Sequence, residues 1–330
     1  MSSGALPVAS QPPFDVEKGV TVIAPPGIGP GWWAGACSVV YEQDRRRFLL
    51  YYRLRKPREL GRGVECRVAA STDGLAFETI WAARQEEFPT ASMERAALVR
   101  LSEGGYRLYV SYVDPADNRW RIDLLEAPAP EAFDIGQRRP ALTAADIDAE
   151  GVKDPVLLWL DNQWNMLVSY APRPEQRRPD MHATGDIYAT GVTKSHTGLA
   201  LSADGRDFRW QGNVFSPGRG WDAYAARVSA VLPFGPAFLA FYDGAAGVEE
   251  NYEERTGLAV SPDLRRFVRL TWRGPLLTSP HGSGSLRYLA LVLAEEQLFY
   301  YYEYARPDGS HELRVNAVPA PLLCVQGRRA

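Results

Sequence analysis

Short apolar runs separated by brief polar turns recur along the chain at a nearly constant interval. Aligned on a shared tyrosine, FLLYYR (48–53), YRLYVSY (106–112), WNMLVSY (164–170), AFLAFYD (237–243) and LFYYYE (298–303) give the anchors Tyr52, Tyr112, Tyr170, Tyr242 and Tyr302, spaced by 60, 58, 72 and 60 residues. Each run is rich in β-branched and aromatic residues and follows another apolar run across a few Gly, Asp, Glu or Asn residues, the pattern of a β-hairpin. After three of the hairpins comes a third apolar segment with a fixed turn: AASTDGLAF (Asp73, then Phe77), ALSADGRDF (Asp204, then Phe208) and AVSPDLRRF (Asp263, then Phe267). The second copy is degenerate there, WRIDLLEAPAPEAF.

Five copies of a unit of about sixty residues, each worth four short strands, predict an all-β five-bladed β-propeller, because one such sheet cannot cover both of its faces alone. A β-sandwich of similar strands is the competing architecture, and the five-fold regularity argues against it. A helical solenoid would show a 3.6-residue period, which is absent. The last copy stops soon after its third strand, LRVNAV (313–318), so VTVIAP (20–25) is expected to supply the missing strand and close the ring. The expected layout is an N-terminal extension (1–19), a single propeller domain (20–320) and a C-terminal tail (321–330). The extra residues of the third interval fall in 171–196, read as a long mobile loop over one face.

Composition narrows the function. The chain of 330 residues is 45% hydrophobic and 23% charged with a net charge of -3, so it can bury a large core and has no basic field to hold nucleic acid. No basic, apolar leader opens the sequence and no apolar run reaches the roughly 18 residues of a spanning helix, which gives the expectation of a soluble, cytoplasmic protein without membrane partners. Cys37, Cys66 and Cys324 lack metal or disulfide spacing and read as apolar packers. His182, His196, His281 and His311 show no metal-site spacing, so neither a metal nor a cofactor is expected. The run Tyr300, Tyr301, Tyr302 reads as core packing.

In a blade, the start of the first strand and the link from second to third strand lie at the same end of the ring. Those positions gather Glu94, Asp154, Asp222, Asp243 and Glu303 with Arg53, Arg95, Lys153, Arg227 and Arg287, beside Trp32, Trp33, Tyr224 and Tyr288. Crowded opposite charges perturb one another's pKa values, and neighbouring aromatic faces suit the C–H surface of a sugar. Glycoside cleavage needs two carboxyl groups with different tasks. Glu94, Asp154, Asp222 and Glu303 are the catalytic candidates. Trp33, Arg53, Arg95, Lys153, His196, Tyr224, Arg227 and Arg287 are the candidates for holding the substrate. The competing reading is an ion-pair lattice that ties the blades together.

The blade pattern, with VKDP at Asp154 and SMERAALVR at Glu94, resembles the five-bladed propeller glycosidases: arabinanases, xylosidases, invertases and mannoside phosphorylases. The resemblance implies that Asp154 orients substrate and stabilises the transition state, with Glu94 as acid or ligand. In that family the hydrolytic base usually opens the first blade, where this chain has Ala34, Gly35, Ala36 and Cys37. Another carboxylate then serves, or phosphate replaces water, or the scaffold does other work. The expected activity is cleavage of a small glycoside, with an anionic sugar, phosphorolysis, and a non-catalytic sugar- or metabolite-binding propeller as the open alternatives.

Overall fold

A computed structural model describes residues 12–320. The first eleven residues of the expected extension, and the expected tail with Cys324, lie outside the described residues. Every regular element among the described residues is a strand or a single 3-10 turn. After β1 (Val20–Ile23) the strands fall into antiparallel meanders. The first is β2 (Trp33–Glu42), β3 (Arg47–Arg55), β4 (Gly63–Ser71) and β5 (Glu78–Arg84). The second is β6 (Met93–Arg100), β7 (Tyr106–Val113), β8 (Trp120–Ala127) and β9 (Arg139–Leu142). The third is β10 (Ala149–Leu160), β11 (Gln163–Pro172), β12 (His196–Ser202) and β13 (Arg209–Phe215). The fourth is β14 (Ala225–Phe234), β15 (Ala237–Ala245), β16 (Arg255–Ser261) and β17 (Val268–Arg269). The last has β18 (Leu286–Ala294), β19 (Gln297–Ala305) and β20 (His311–Pro319), and β1 pairs antiparallel with β20, Val20 opposite Val315 and Ile23 opposite Leu313.

Alternation along the second strands explains why they read as nearly unbroken apolar runs. In β3, Leu49 and Tyr51 enter one core with Ala96, Leu98 and Val110, while Phe48, Leu50 and Tyr52 enter another with Tyr301, Leu313 and Val315. In β19, Tyr300 and Tyr302 face Phe241 and Leu258, and Tyr301 faces the other way. Successive side chains on a strand point to opposite faces, so a sheet covered on both sides must be apolar on both. Burying each Leu, Val or Phe contributes roughly 1.5–3 kcal/mol, far more than an exposed ion pair. These inter-sheet cores therefore dominate stability.

The repeated Ser-x-Asp turns act as expected. Asp73 Oδ1 accepts the amides of Leu75 and Ala76, and Gly74 takes φ 74°, a conformation glycine adopts at no steric cost. The Tyr301 hydroxyl donates to the Gly74 carbonyl at 2.8 Å, and that of Tyr109 to Gly205 at 2.6 Å, so the turn of one sheet is anchored by its neighbour.

Two segments outside the meanders are closely packed. Residues 14–19 are packed, not merely an extension: Phe14 stacks on Tyr302, and Asn316 Nδ2 donates to the Asp15 carbonyl. The 171–196 segment is more than a mobile loop over one face. It buries Met181, Asp186, Ile187 and Tyr188, because Asp186 caps a 3-10 turn and ion-pairs with Arg62 at 2.7 Å, and its His182 ring meets Glu150 at 3.0 Å.

Candidate active site

The first strand of each meander breaks register at an equivalent point. The breaks lie between Gly35 and Ser38, Met93 and Ala96, Lys153 and Val156, Val228 and Ala230, and Arg287 and Ala290. A bulge of this kind re-aims a side chain. Ala36, Asp154 and Tyr288 each take φ near 55° within their bulges (54°, 56° and 53°), a left-handed conformation that costs a non-glycine residue about 1–3 kcal/mol. The surroundings hold two of them in place: Ser111 Oγ accepts the Asp154 amide at 2.9 Å, and the Asp243 carboxylate accepts the Tyr288 amide at 3.1 Å.

The bulges and the adjoining loops gather a buried charge cluster. Arg53 Nε donates to Glu94 Oε1 at 2.6 Å, while Arg55 and Lys153 stand 3.7 and 3.9 Å from Glu94 Oε2. Arg287 donates to Glu303 at 2.6 Å and to Glu254 at 2.5 Å, and Glu254 also receives Arg227 at 2.7 Å. His311 bridges Glu303 at 2.9 Å and Glu253 at 3.0 Å, and its ring stacks on Trp33 with centroids 4.6 Å apart. Lys153 Nζ lies 3.3 Å from Asp154 Oδ2, over the rings of Trp120 and Tyr188. Arg55 sits between Trp33 and Tyr252, and the roof is tied by Arg62, Asp186 and Tyr252, which are hydrogen-bonded to one another.

Not all of this hydrogen-bonding capacity is spent. Neither oxygen of Asp154 receives a hydrogen bond among the described residues, nor does Glu303 Oε2, and both terminal nitrogens of Arg53, Arg55 Nη1, Arg95 Nε and Nη1, and Trp33 Nε1 donate none, although Arg53 Nη2 and Glu303 Oε2 face each other as an ion pair at 3.4 Å. Native proteins rarely leave buried polar atoms unpaired, and such atoms gathered in one place mark where a polar ligand fits.

Electrostatics separates the carboxyl groups. Burial raises Asp154 above the usual aspartate range, and Lys153 only partly offsets it. Burial also opposes ionisation of Glu94, but Arg53, Lys153 and Arg55 outweigh it and hold the group below the ordinary glutamate value. Glu303 is held low in the same way by Arg287, Arg53 and His311, and Arg287 and Arg227 bring Glu254 down to about 2. Burial, reinforced by Glu254, pushes Asp243 up to about 7.

Of the residues singled out from sequence, Trp33, Arg53, Glu94, Lys153, Asp154, Arg227, Arg287 and Glu303 stand together, with Asp243 and Tyr288. Arg95 shares the inner-strand bulge with Glu94 and donates to the Leu289 carbonyl. Asp222 stands apart: it precedes β14 and is paired with Arg269 and the Tyr242 hydroxyl. His196 lies along β12 against Asn213, Ser216 and Tyr170, and the Tyr224 hydroxyl is used by the Tyr188 carbonyl. Arg55, Glu254, His311 and the Arg62–Asp186–Tyr252 roof join the site without having been marked as candidates by the sequence pattern. The opening of the first meander has no carboxylate, yet one lies against it: a Cβ on Gly35 would collide with Glu303 Oε2. No group of three or more His, Cys, Asp or Glu side chains arranged to hold a metal occurs among the described residues.

Solved structures share this arrangement of strands. A glycoside hydrolase superposes with a TM-score of 0.68 at 15% identity, over 94% of this chain and 93% of that one. A thermostable family-43 glycoside hydrolase gives 0.63 at 13%, over 91% and 92%, and the β-1,2-mannobiose phosphorylase from Listeria innocua, in complex with β-1,2-mannobiose, 0.60 at 13%, over 91% and 94%. The chain shares the fold of these glycoside hydrolases and of the mannobiose phosphorylase. At these identities the likeness speaks for the fold alone. No family model matches the chain, and neither does any curated protein.

Proposed function

We propose that the chain is a carbohydrate-active enzyme that cleaves a small glycoside at the axial cluster of a five-bladed propeller closed by β1. The cores between successive sheets, with a further core joining the last sheet to the first, support the ring. Deletion of residues 1–26 should then lower the melting temperature sharply, and an unchanged melt would refute closure by β1.

The observation that carries the activity is the opposed environment of two carboxyl groups whose free oxygens receive no hydrogen bond and meet only an ion-pair partner, Lys153 at 3.3 Å from Asp154 Oδ2 and Arg53 at 3.4 Å from Glu303 Oε2. Asp154, pushed toward its neutral form, is suited to give a proton to a leaving oxygen; Glu303, held ionised against Gly35, suits the positive charge of an oxocarbenium-like transition state. In this reading Glu94 organises Arg53, Arg55 and Lys153, and the unspent Arg53 and Arg55 nitrogens bind an oxyanion, either a sugar carboxylate or attacking phosphate. Trp33 supplies an aromatic face. Because the cluster is almost fully buried, the Arg62–Asp186–Tyr252 roof must open for substrate.

A second reading, a propeller that binds a sugar or metabolite without cleaving it, is favoured by the mutually saturated Glu254, Arg227 and Arg287. A panel of nitrophenyl glycosides, neutral and uronic, assayed with and without phosphate separates the two. Turnover of any member supports the enzyme, and saturable binding of a sugar with no turnover across the panel supports the binding protein.

A further inference from the structure

Tyr288 occupies in the last meander the position that Asp154 occupies in the third. Each follows the last paired residue before its register break, Arg287 and Lys153 respectively, and each is left-handed there, at φ 53° and 56°. A bulky aromatic residue rarely takes that conformation unaided. Both backbone polar groups of Tyr288 are tied: the two Asp243 oxygens accept its amide at 3.1 Å, and the Cys37 thiol donates to its carbonyl at 3.2 Å. The bulge aims the side chain into the charge cluster. Its ring carries the Arg287 guanidinium at 4.8 Å and that of Arg53 at 6.0 Å, and the same two groups lie 5.1 and 6.0 Å from the Trp33 ring.

The phenol is the end left free. The Tyr288 hydroxyl makes no hydrogen bond among the described residues. Glu94 Oε2 makes none either, and meets Arg55 and Lys153 only at ion-pair distance, 3.7 and 3.9 Å. Unlike the two Asp154 oxygens, neither of these atoms is fully sealed. Burial, then the carboxyl groups of Asp154 and Glu94, hold the phenol well above the usual tyrosine range, so it keeps its proton. A donor and an ionised acceptor thus stand in the cluster without hydrogen-bond partners of their own.

We propose that Tyr288 is a specificity-determining residue: its hydroxyl donates to the oxygen of one sugar hydroxyl, which donates in turn to Glu94 Oε2. This rests on the reading of the cluster as a sugar site and holds whether or not the sugar is cleaved. A donor and an acceptor set on one position favour a free hydroxyl there and disfavour a deoxy sugar, which leaves both groups buried and unpaired.

The test compares the full chain, wild type and Tyr288→Phe, on the nitrophenyl glycosides and, for the one bound most tightly, on its monodeoxy derivatives. Affinity is read as Kd, or as kcat/KM for a glycoside that is turned over. Tyr288→Phe keeps the ring beside Arg287 and Arg53 and removes only the hydroxyl, so its melting curve should match that of wild type. It should handle the parent glycoside about 5–10-fold less well, and the one deoxy position that costs wild type a similar factor should cost the variant little. Wild-type strength on the parent, or the same ranking of deoxy sugars in both proteins, would overturn the assignment, as would wild type binding no sugar. Binding without turnover defeats the enzyme reading alone and leaves the same comparison to decide Tyr288. Should Tyr288→Phe not fold, wild-type crystals soaked with the parent glycoside decide: a sugar oxygen within hydrogen-bond distance of the Tyr288 hydroxyl supports the assignment, and none refutes it.

Discussion

The two sides of the buried charge cluster use the same kinds of residue and end in opposite states. On one side Glu254, Arg227, Arg287 and His311 are spent on one another and on Glu303, and each bond is short. On the other, Asp154 and Arg95 are just as buried and keep polar atoms with no hydrogen-bond partner, while Arg53 and Glu303 are each hydrogen-bonded at one end and at the other meet in an ion pair of 3.4 Å without a hydrogen bond. A buried ion pair that is complete holds strands together and does little else, since its desolvation consumes much of what its attraction returns. The incomplete side costs stability, and a fold that keeps such a cost on a bulge with Asp154 left-handed is expected to retain it for function.

Removing one member of the complete side should have the largest effect. Glu254→Ala strands Arg227 and Arg287 without their shared carboxylate and should cost about 3–5 kcal/mol in denaturant unfolding. A loss below about 1 kcal/mol would erase the distinction between the sides. Asp243 sets the sides apart through pH. Its folded value, about 7, lies above the 3.8 of the free side chain, so the folded state holds a proton that the unfolded state has released. Its contribution therefore falls as pH rises from about 4 to 7, and Asp243→Asn should gain stability relative to wild type over that window and stay level above it.

The smallest effect is expected at His311. Burial opposes its charge, but Glu253 and Glu303 raise it above the usual histidine value, so its contribution is full below about pH 6.5 and fades as pH climbs through the raised value. The gap in Tm between wild type and His311→Gln should be wider at pH 6 than at pH 9. A gap independent of pH would show that the ring acts only through its stacking on Trp33.

Much of the fold was legible because each repeat states its strands in the same order, and strands covered on both faces write themselves as continuous apolar runs. The site was legible where a strand opening fixes direction: Glu94, Lys153, Asp154, Arg227 and Arg287 all stand on first strands. Asp222 resembled them in sequence but precedes β14, whose first residue is Ala225, and outside the ladder nothing obliges it to face the cluster. Glu254 lies just before β16, and Asp186 lies in the loop between β11 and β12. Irregular backbone carries no period from which their inward placement can be read. Glu303 was found, but not its reach across to Gly35, which depends on how the last sheet packs on the first.

The measurement that bears most directly on the account is turnover by Asp154→Asn, followed beside its melting curve on whichever glycoside the wild type cleaves. Activity should fall at least about 10²–10⁴-fold, the range for loss of a general acid, in a protein that still folds and melts cooperatively. Activity within a few-fold of wild type in a folded Asp154→Asn protein would contradict it.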